Sequence, residues 1–408
     1  MAILDSLACL LVLFGALVNG TATHVDHHPS RVVKRASTCT PSSAQNAGTD
    51  DVAAIESAFS KCGDGGVIVI PSGITYAIRS TLDFTGCSNC DFQIEGTLKV
   101  SDDIDYWDGV TAIFSVSGIT KAKIRSLTGS GVIDGNGQDF WDEFATNSDF
   151  DRPTLFYITK SSGITVENLY FKNAPNVFHS AVGSSTNIVY KDITLKATSK
   201  SDNDPKNTDG WDIGPASYVT ITNATVTNDD DCVAFKPGAN YVTVDTITCK
   251  GSHGLSVGSL GKTNTDTVKN IYVTNAKMID STKAVGIKLY PGGSSHGTGV
   301  VSNVTWDGVV VSGCDYAAQI QSCYGEDSDY CSSYPSTATV TDVYFKDFSG
   351  TTSSKYEPVI ANIDCPADGT CDVYFEDWTV KPPSGTAEYL CANIDSTPGI
   401  TCTDGASG

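Results

Sequence analysis

NIVYKDITL (187–195), YVTITNATV (218–226), YVTVDTITC (241–249), NIYVTNAKM (270–278), NVTWDGVVV (303–311) and DVYFKDFSG (342–350) are six versions of one pattern. Each reads as a short alternating strand, a turn, and a second strand, with the β-branched and aromatic residues that strands favour. Successive copies start 23 to 39 residues apart. A unit of that size cannot bury a core alone, and stacking supplies one. The pattern predicts an all-β, single-domain, right-handed parallel β-helix. A β-sandwich also has many short strands, but it gives no reason for the recurrence. The scarcity of helix-forming runs argues against a TIM barrel. DDVAAIESAFSKCG (50–63) is the one clear amphipathic helix, and it is expected to cap the N-terminal end of the stack, where a sheet edge needs cover.

Ahead of the repeats, LACLLVLFGALV (7–18) is apolar but too short to span a bilayer comfortably. With the small residues that follow, it reads as a secretory signal peptide over 1–20, although the leading segment carries Asp5 and no Lys or Arg. Lys34-Arg35 marks the end of a propeptide over 21–35, which leaves 36–408 as the catalytic domain. The expected location is therefore extracellular. The fourteen cysteines agree with that compartment. Setting Cys9 aside in the signal, the expected disulfides are Cys87–Cys90, Cys323–Cys331, Cys365–Cys371, Cys391–Cys402, Cys232–Cys249 and Cys39–Cys62, with Cys314 left as a buried thiol. Zinc is the rival use of cysteine, but the few histidines are not interleaved with them. Asn223-Ala-Thr225 and Asn303-Val-Thr305 are glycosylation sequons. A formal charge of -21 argues against nucleic acid or an anionic membrane as partner, and a monomer is expected. It leaves room for an acidic polysaccharide, since a local cationic cleft can sit in an acidic exterior.

Between two of the repeats stands NDDD, with Asp229, Asp230 and Asp231 in a row. Such a run is most often a solvated turn, and Asp-rich turns also hold calcium. Its neighbours change the reading. Asp209 in NTDGWD lies twenty-one residues before Asp230, and His253 in GSHG lies twenty-two after Asp231. Both separations are about one coil, and parallel strands stack at about 4.8 Å. Asp209, Asp230, Asp231 and His253 are thus expected in one patch, with Lys288 of GIKLYPGG and Tyr324 of QSCYGE on the coils that follow. Crowded carboxylates split their pKa values, so that one keeps a proton while its neighbours ionise. Glycoside hydrolysis needs that division.

NTDG, DDC, HG and the Ile-Lys of GIKLYPGG, in this order and spacing, resemble the motifs of glycoside hydrolase family 28, the polygalacturonase family. GSGVIDGNGQDFW (129–141) and NAPNVFHSAV (173–182) also resemble family segments, so the likeness covers nearly the whole mature chain. The resemblance implies a secreted β-helix that cleaves galacturonan with inversion, without metal or other cofactor. It implies Asp230 as proton donor and Asp209 and Asp231 as holders of the water. His253 tunes the acid, Lys288 takes a substrate carboxylate, and Tyr324 borders the cleft. It further implies that Asn207 orients Asp209 and that Cys232–Cys249 lies behind the acid.

The chain departs from the family at Gly286-Ile287-Lys288, where Arg-Ile-Lys is usual, and at Ser252-His253-Gly254, where Gly-His-Gly is usual. Gly286 removes a carboxylate clamp and suggests volume for a side sugar near the scissile bond. The combination with PKNTDGWDIG, GSHGLSVGSLGK and QIQSCYGED most resembles the fungal members that cut xylogalacturonan internally, the endo-xylogalacturonan hydrolases. An exo- or endo-polygalacturonase acting on bare polygalacturonate is the alternative. A non-catalytic pectin-binding β-helix would have no need of all three aspartates, and a pectate lyase would need calcium and an Arg base.

Overall fold

The repeat owes its shape to two backbone positions. In the computed structural model, which describes residues 37–408, each copy begins on a left-handed residue: Asn187, Tyr218, Tyr241, Asn270, Asn303 and Asp342. Five residues later a second one follows: Asp192, Asn223, Thr246, Asn275, Gly308 and Asp347. Asn and Asp tolerate this conformation better than most residues, and Gly308 at φ 74° adopts it without a Cβ penalty. The second position bends the strand and shifts the inward phase by one residue. Ile188 and Tyr190 point to the core before the bend, and Ile193 and Leu195 after it. Val219 and Ile221, then Ala224 and Val226, do the same one coil on. The turn expected inside each copy is thus a single residue within one long strand, such as Ser185–Lys196 or Ala216–Thr227.

These long strands pair in parallel register, with Ile188 on Val219, Val219 on Val242 and Val242 on Ile271. They build a 16-stranded sheet. Between them run the shorter strands of a 12-stranded sheet, including Trp211–Ile213, Val233–Phe235, Leu255–Leu260, Lys283–Leu289 and Tyr316–Gln321. The chain alternates between the two sheets once per coil, which is the expected parallel β-helix. Its interior is a continuous apolar column, and identical positions on successive coils fill the same layer.

Helix Val52–Cys62 lies at the N-terminal end with Ile55, Ala58 and Phe59 buried. Phe59 packs on Phe84 and Phe92, and Cys62 is joined to Cys39. A nine-residue helix, Gln138–Thr146, was not expected from the sequence; it buries Phe140 and Trp141, which belong to the segment 129–141 that resembles the family. All six expected cysteine pairs are joined, and Cys314 is a buried thiol pushed up to about 11 by burial. No helix of the described residues is long and apolar enough to cross a membrane. The signal-peptide and propeptide readings, 1–20 and 21–35, lie outside the described residues.

Candidate active site

Register places the polar residues. Trp211 pairs with Val233, Val233 with Leu255, and Leu255 with Val285. Two residues before each of these stand Asp209, Asp231, His253 and Lys283. The four occupy one position on four consecutive coils, at the corner where the chain enters the 12-stranded sheet. Asp230 is one residue off this ladder. One oxygen from each of Asp209, Asp230 and Asp231 falls within a 4.8 Å spread. That is closer than the guide of about 6.5 to 9.5 Å for inverting carboxylate pairs.

Asp231 is the most constrained of the three. Lys288 donates from Nζ to Oδ2 at 2.7 Å, and Ser256 donates from Oγ to Oδ1 at 2.7 Å. The ammonium expected to meet a substrate carboxylate is therefore bonded inside the site, and its attraction to Asp231 holds it protonated against the opposing effect of burial. Asn228 fastens the loop beneath by donating to the carbonyls of Thr208, Asp230 and Asp231. Cys232, bonded to Cys249, anchors the following residue in the core.

Asp230 faces the solvent side. His253 Nδ1 lies 3.2 Å from its Oδ1, and the His253 backbone N–H donates to the Asp230 carbonyl. Burial acts to raise this carboxyl, but the hydrogen bond and charge of His253, with Lys288 behind them, bring it down to about 2. Asp209 is held the other way. Burial and the adjacent Asp212 keep it well above the usual carboxylate range, with Lys236 opposing. Asp212 is likewise raised by burial, with Lys236 opposing. Lys236 stands 3.4 Å from each and is itself held protonated by them.

Asn207 does not orient Asp209. Its Nδ2 donates to Asp230 Oδ2 at 3.2 Å, because the left-handed turn at Asn207 and the bridge from Lys206 to Asp229 carry its amide to the next coil. Arg152 grips the other side of that amide at 2.7 Å and lines, with Asn207, Asp209, Asp212 and Lys236, a cleft of about 600 Å³. Tyr324 lies against Lys288, with its ring centre 5.6 Å from Nζ.

The sequence reading of Gly286 as free volume also needs correction. A Cβ there would sit 2.7 Å from Cδ and Cε of Lys283 and 2.7 Å from the Gln319 carbonyl. The space vacated by the side chain is filled by the Lys283 stem. Sequence reasoning missed Lys283, Lys236, Asp212, Ser256, Asn228 and Arg152. The ladder spacing that found Asp209 and His253 also reaches Lys283, thirty residues past His253. His179 of NAPNVFHSAV is a core residue, stacked on Trp211 and pushed down to about 3 by burial.

The family model for glycosyl hydrolases family 28 matches residues 65–402. The chain belongs to glycoside hydrolase family 28. Among curated members, endo-xylogalacturonan hydrolase A of Aspergillus tubingensis is 58% identical over 392 residues, 96% of this chain and 97% of its own length. The probable endo-xylogalacturonan hydrolase A of Aspergillus niger is 57% identical over 399 residues, 98% of each chain. The crystal structure of the A. tubingensis enzyme superposes with a TM-score of 0.91 at 60% identity, covering 91% of this chain and all of that one. A polygalacturonase from Erwinia carotovora, at 20% identity and a TM-score of 0.71, shares the fold. Family 28 membership and the parallel β-helix are thus established together.

Proposed function

We propose that this chain is a secreted endo-xylogalacturonan hydrolase, cutting α-1,4 galacturonosyl linkages in xylose-bearing galacturonan with inversion. The substrate class rests on the near full-length identity to the A. tubingensis enzyme of that name. The chemistry rests on one observation: Asp209, Asp230 and Asp231 each bring an oxygen within a 4.8 Å spread, and His253 Nδ1 stands 3.2 Å from Asp230.

Asp230 and His253 act as one proton-carrying pair. A proton passed from His253 across the 3.2 Å contact is placed on Asp230. Asp230 then gives it to the glycosidic oxygen as the C1–O bond breaks. Water attacks C1 from the opposite face. Asp231, fixed by Lys288 and Ser256, positions that water. Asp209 takes its proton in the ionised form, which Lys236 favours against the burial and the Asp212 charge that raise this carboxyl. Lys236, 3.4 Å from both Asp209 and Asp212, balances the charge there.

The test is product analysis on xylogalacturonan and on bare polygalacturonate. New reducing ends, initially in the inverted configuration, and oligomers from internal cuts are expected, with the xylosylated polymer preferred. An unsaturated product absorbing in the ultraviolet would identify a lyase instead. Binding without new reducing ends would leave a non-catalytic module.

A further inference from the structure

We infer that Lys283 is the cation that holds a uronate carboxylate of the substrate beside the scissile bond. This rests on the hydrolase reading above. Three lysines surround the acids, and two are already committed: Lys288 to Asp231, and Lys236 to Asp209 and Asp212. Lys283 is not. Its residue is 5% exposed, yet among the described residues no carboxylate lies within ion-pair distance of its ammonium and no hydrogen bond involves it. The residue is buried but its ammonium is not sealed from solvent, so a carboxylate arriving from outside can reach and pair with it.

The surroundings are shaped around this side chain. A Cβ at Gly254 would lie 3.1 Å from Lys283 Cγ, and one at Gly286 would lie 2.7 Å from Cδ and Cε. Two glycines of the flanking motifs therefore leave a channel for the stem. The ladder puts Lys283 on the coil after His253, so its head is presented to the same patch as the acid pair. The groups that act on it are Lys288, Asp231 and Asp230, with Tyr316 its strand partner. Burial and the Lys288 charge bring its ammonium down to about 8, with the two aspartates opposing. It is thus charged at the acid pH where carboxyl chemistry runs. The missing Arg of the GIK motif is a relocated cation, carried on a stem that enters from three residues upstream.

The experiment compares Lys283→Met with wild type on free-acid xylogalacturonan and on the same polymer methyl-esterified. Met keeps the stem's volume and removes the charge. The ratio of kcat/KM for free acid over ester is expected to fall roughly ten- to a hundredfold, the range for a charged hydrogen bond. Equal loss on both polymers would assign Lys283 to packing alone and overturn the proposal, as would no loss on either. A wild type that releases no reducing ends from any galacturonan would sink the hydrolase reading, and Lys283 with it. A second measurement needs no variant. Calorimetric Kd of the wild type for digalacturonate should weaken as pH rises through about 8, where the Lys283 ammonium is lost and the ligand stays ionised. A Kd flat to pH 10 contradicts the assignment.

Discussion

Lys288 Nζ and Asp231 Oδ2 stand 2.7 Å apart with side chains 9% and 1% exposed, so the charge that fixes the Asp231 carboxylate belongs to a buried ion pair. Removing one member of such a pair strands the other. Lys288→Met is expected to cost about 3 to 5 kcal/mol of stability, read from the denaturant midpoint, together with nearly all activity. A variant as stable as wild type would show that Ser256 alone satisfies Asp231.

Asp230→Asn keeps the shape of the acid and cannot donate a carboxyl proton. Turnover should drop roughly 100- to 10,000-fold with the circular dichroism unchanged. Near-normal turnover in folded protein would move the acid elsewhere, with Asp209 the next residue to test.

His253→Gln separates the pair. Without the imidazole, the transferable proton resides on a carboxyl, which releases it at lower pH than an imidazole does. Asp230 also loses the cation that now lowers it, so its own carboxyl rises from about 2. The net expectation is an alkaline limb of the kcat profile displaced to lower pH. An unmoved limb means that His253 carries no share of the proton.

Lys236→Met acts on the other limb. Lys236 opposes the burial that raises Asp209, so its removal lifts that carboxyl further. The base is then ionised only at higher pH, and the acid limb of kcat/KM should shift upward. A shift downward, or none, would exclude Asp209 as the base.

What the sequence disclosed and withheld follows from geometry. The repeat exposed the β-helix because inward residues recur once per coil, and Asp209 and His253 were found by the same arithmetic. Lys283 sits on that ladder too, but a longer coil separates it from His253, and a lone Lys in STKAVG carries no motif. Asn207 was assigned to the wrong aspartate because a left-handed turn carries its amide to the next coil, and turn handedness at Asn is not written in the residue. Helix Gln138–Thr146 hid inside a segment that begins as a strand at Val132. The opposite shifts of Asp209 and Asp230 depend on which lysine faces which carboxylate, a relation between four coils.

Gly286→Arg, which from sequence alone looks like the restoration of a clamp, is expected to do harm. Its Cβ meets a backbone carbonyl and the Lys283 stem at 2.7 Å, so the lysine must leave its channel. Stability should fall, and activity on bare polygalacturonate should not rise. A gain on that polymer would mean that the new Arg takes over the task assigned to Lys283.

The one-dimensional stacking of coils has a consequence for how the enzyme fails. Each rung leans only on the rung below and the rung above, and the reacting groups occupy rungs in the middle of the column, far from helix Val52–Cys62 and from the Cys391–Cys402 clasp. Such an array is able to fray from its ends without losing its centre. Heat should therefore abolish spectroscopic signals from the terminal aromatics, such as Phe59 and Trp378, before it abolishes turnover. Grafting or deleting a whole outer coil should alter the length of the molecule and its resistance to proteases while catalysis continues undisturbed.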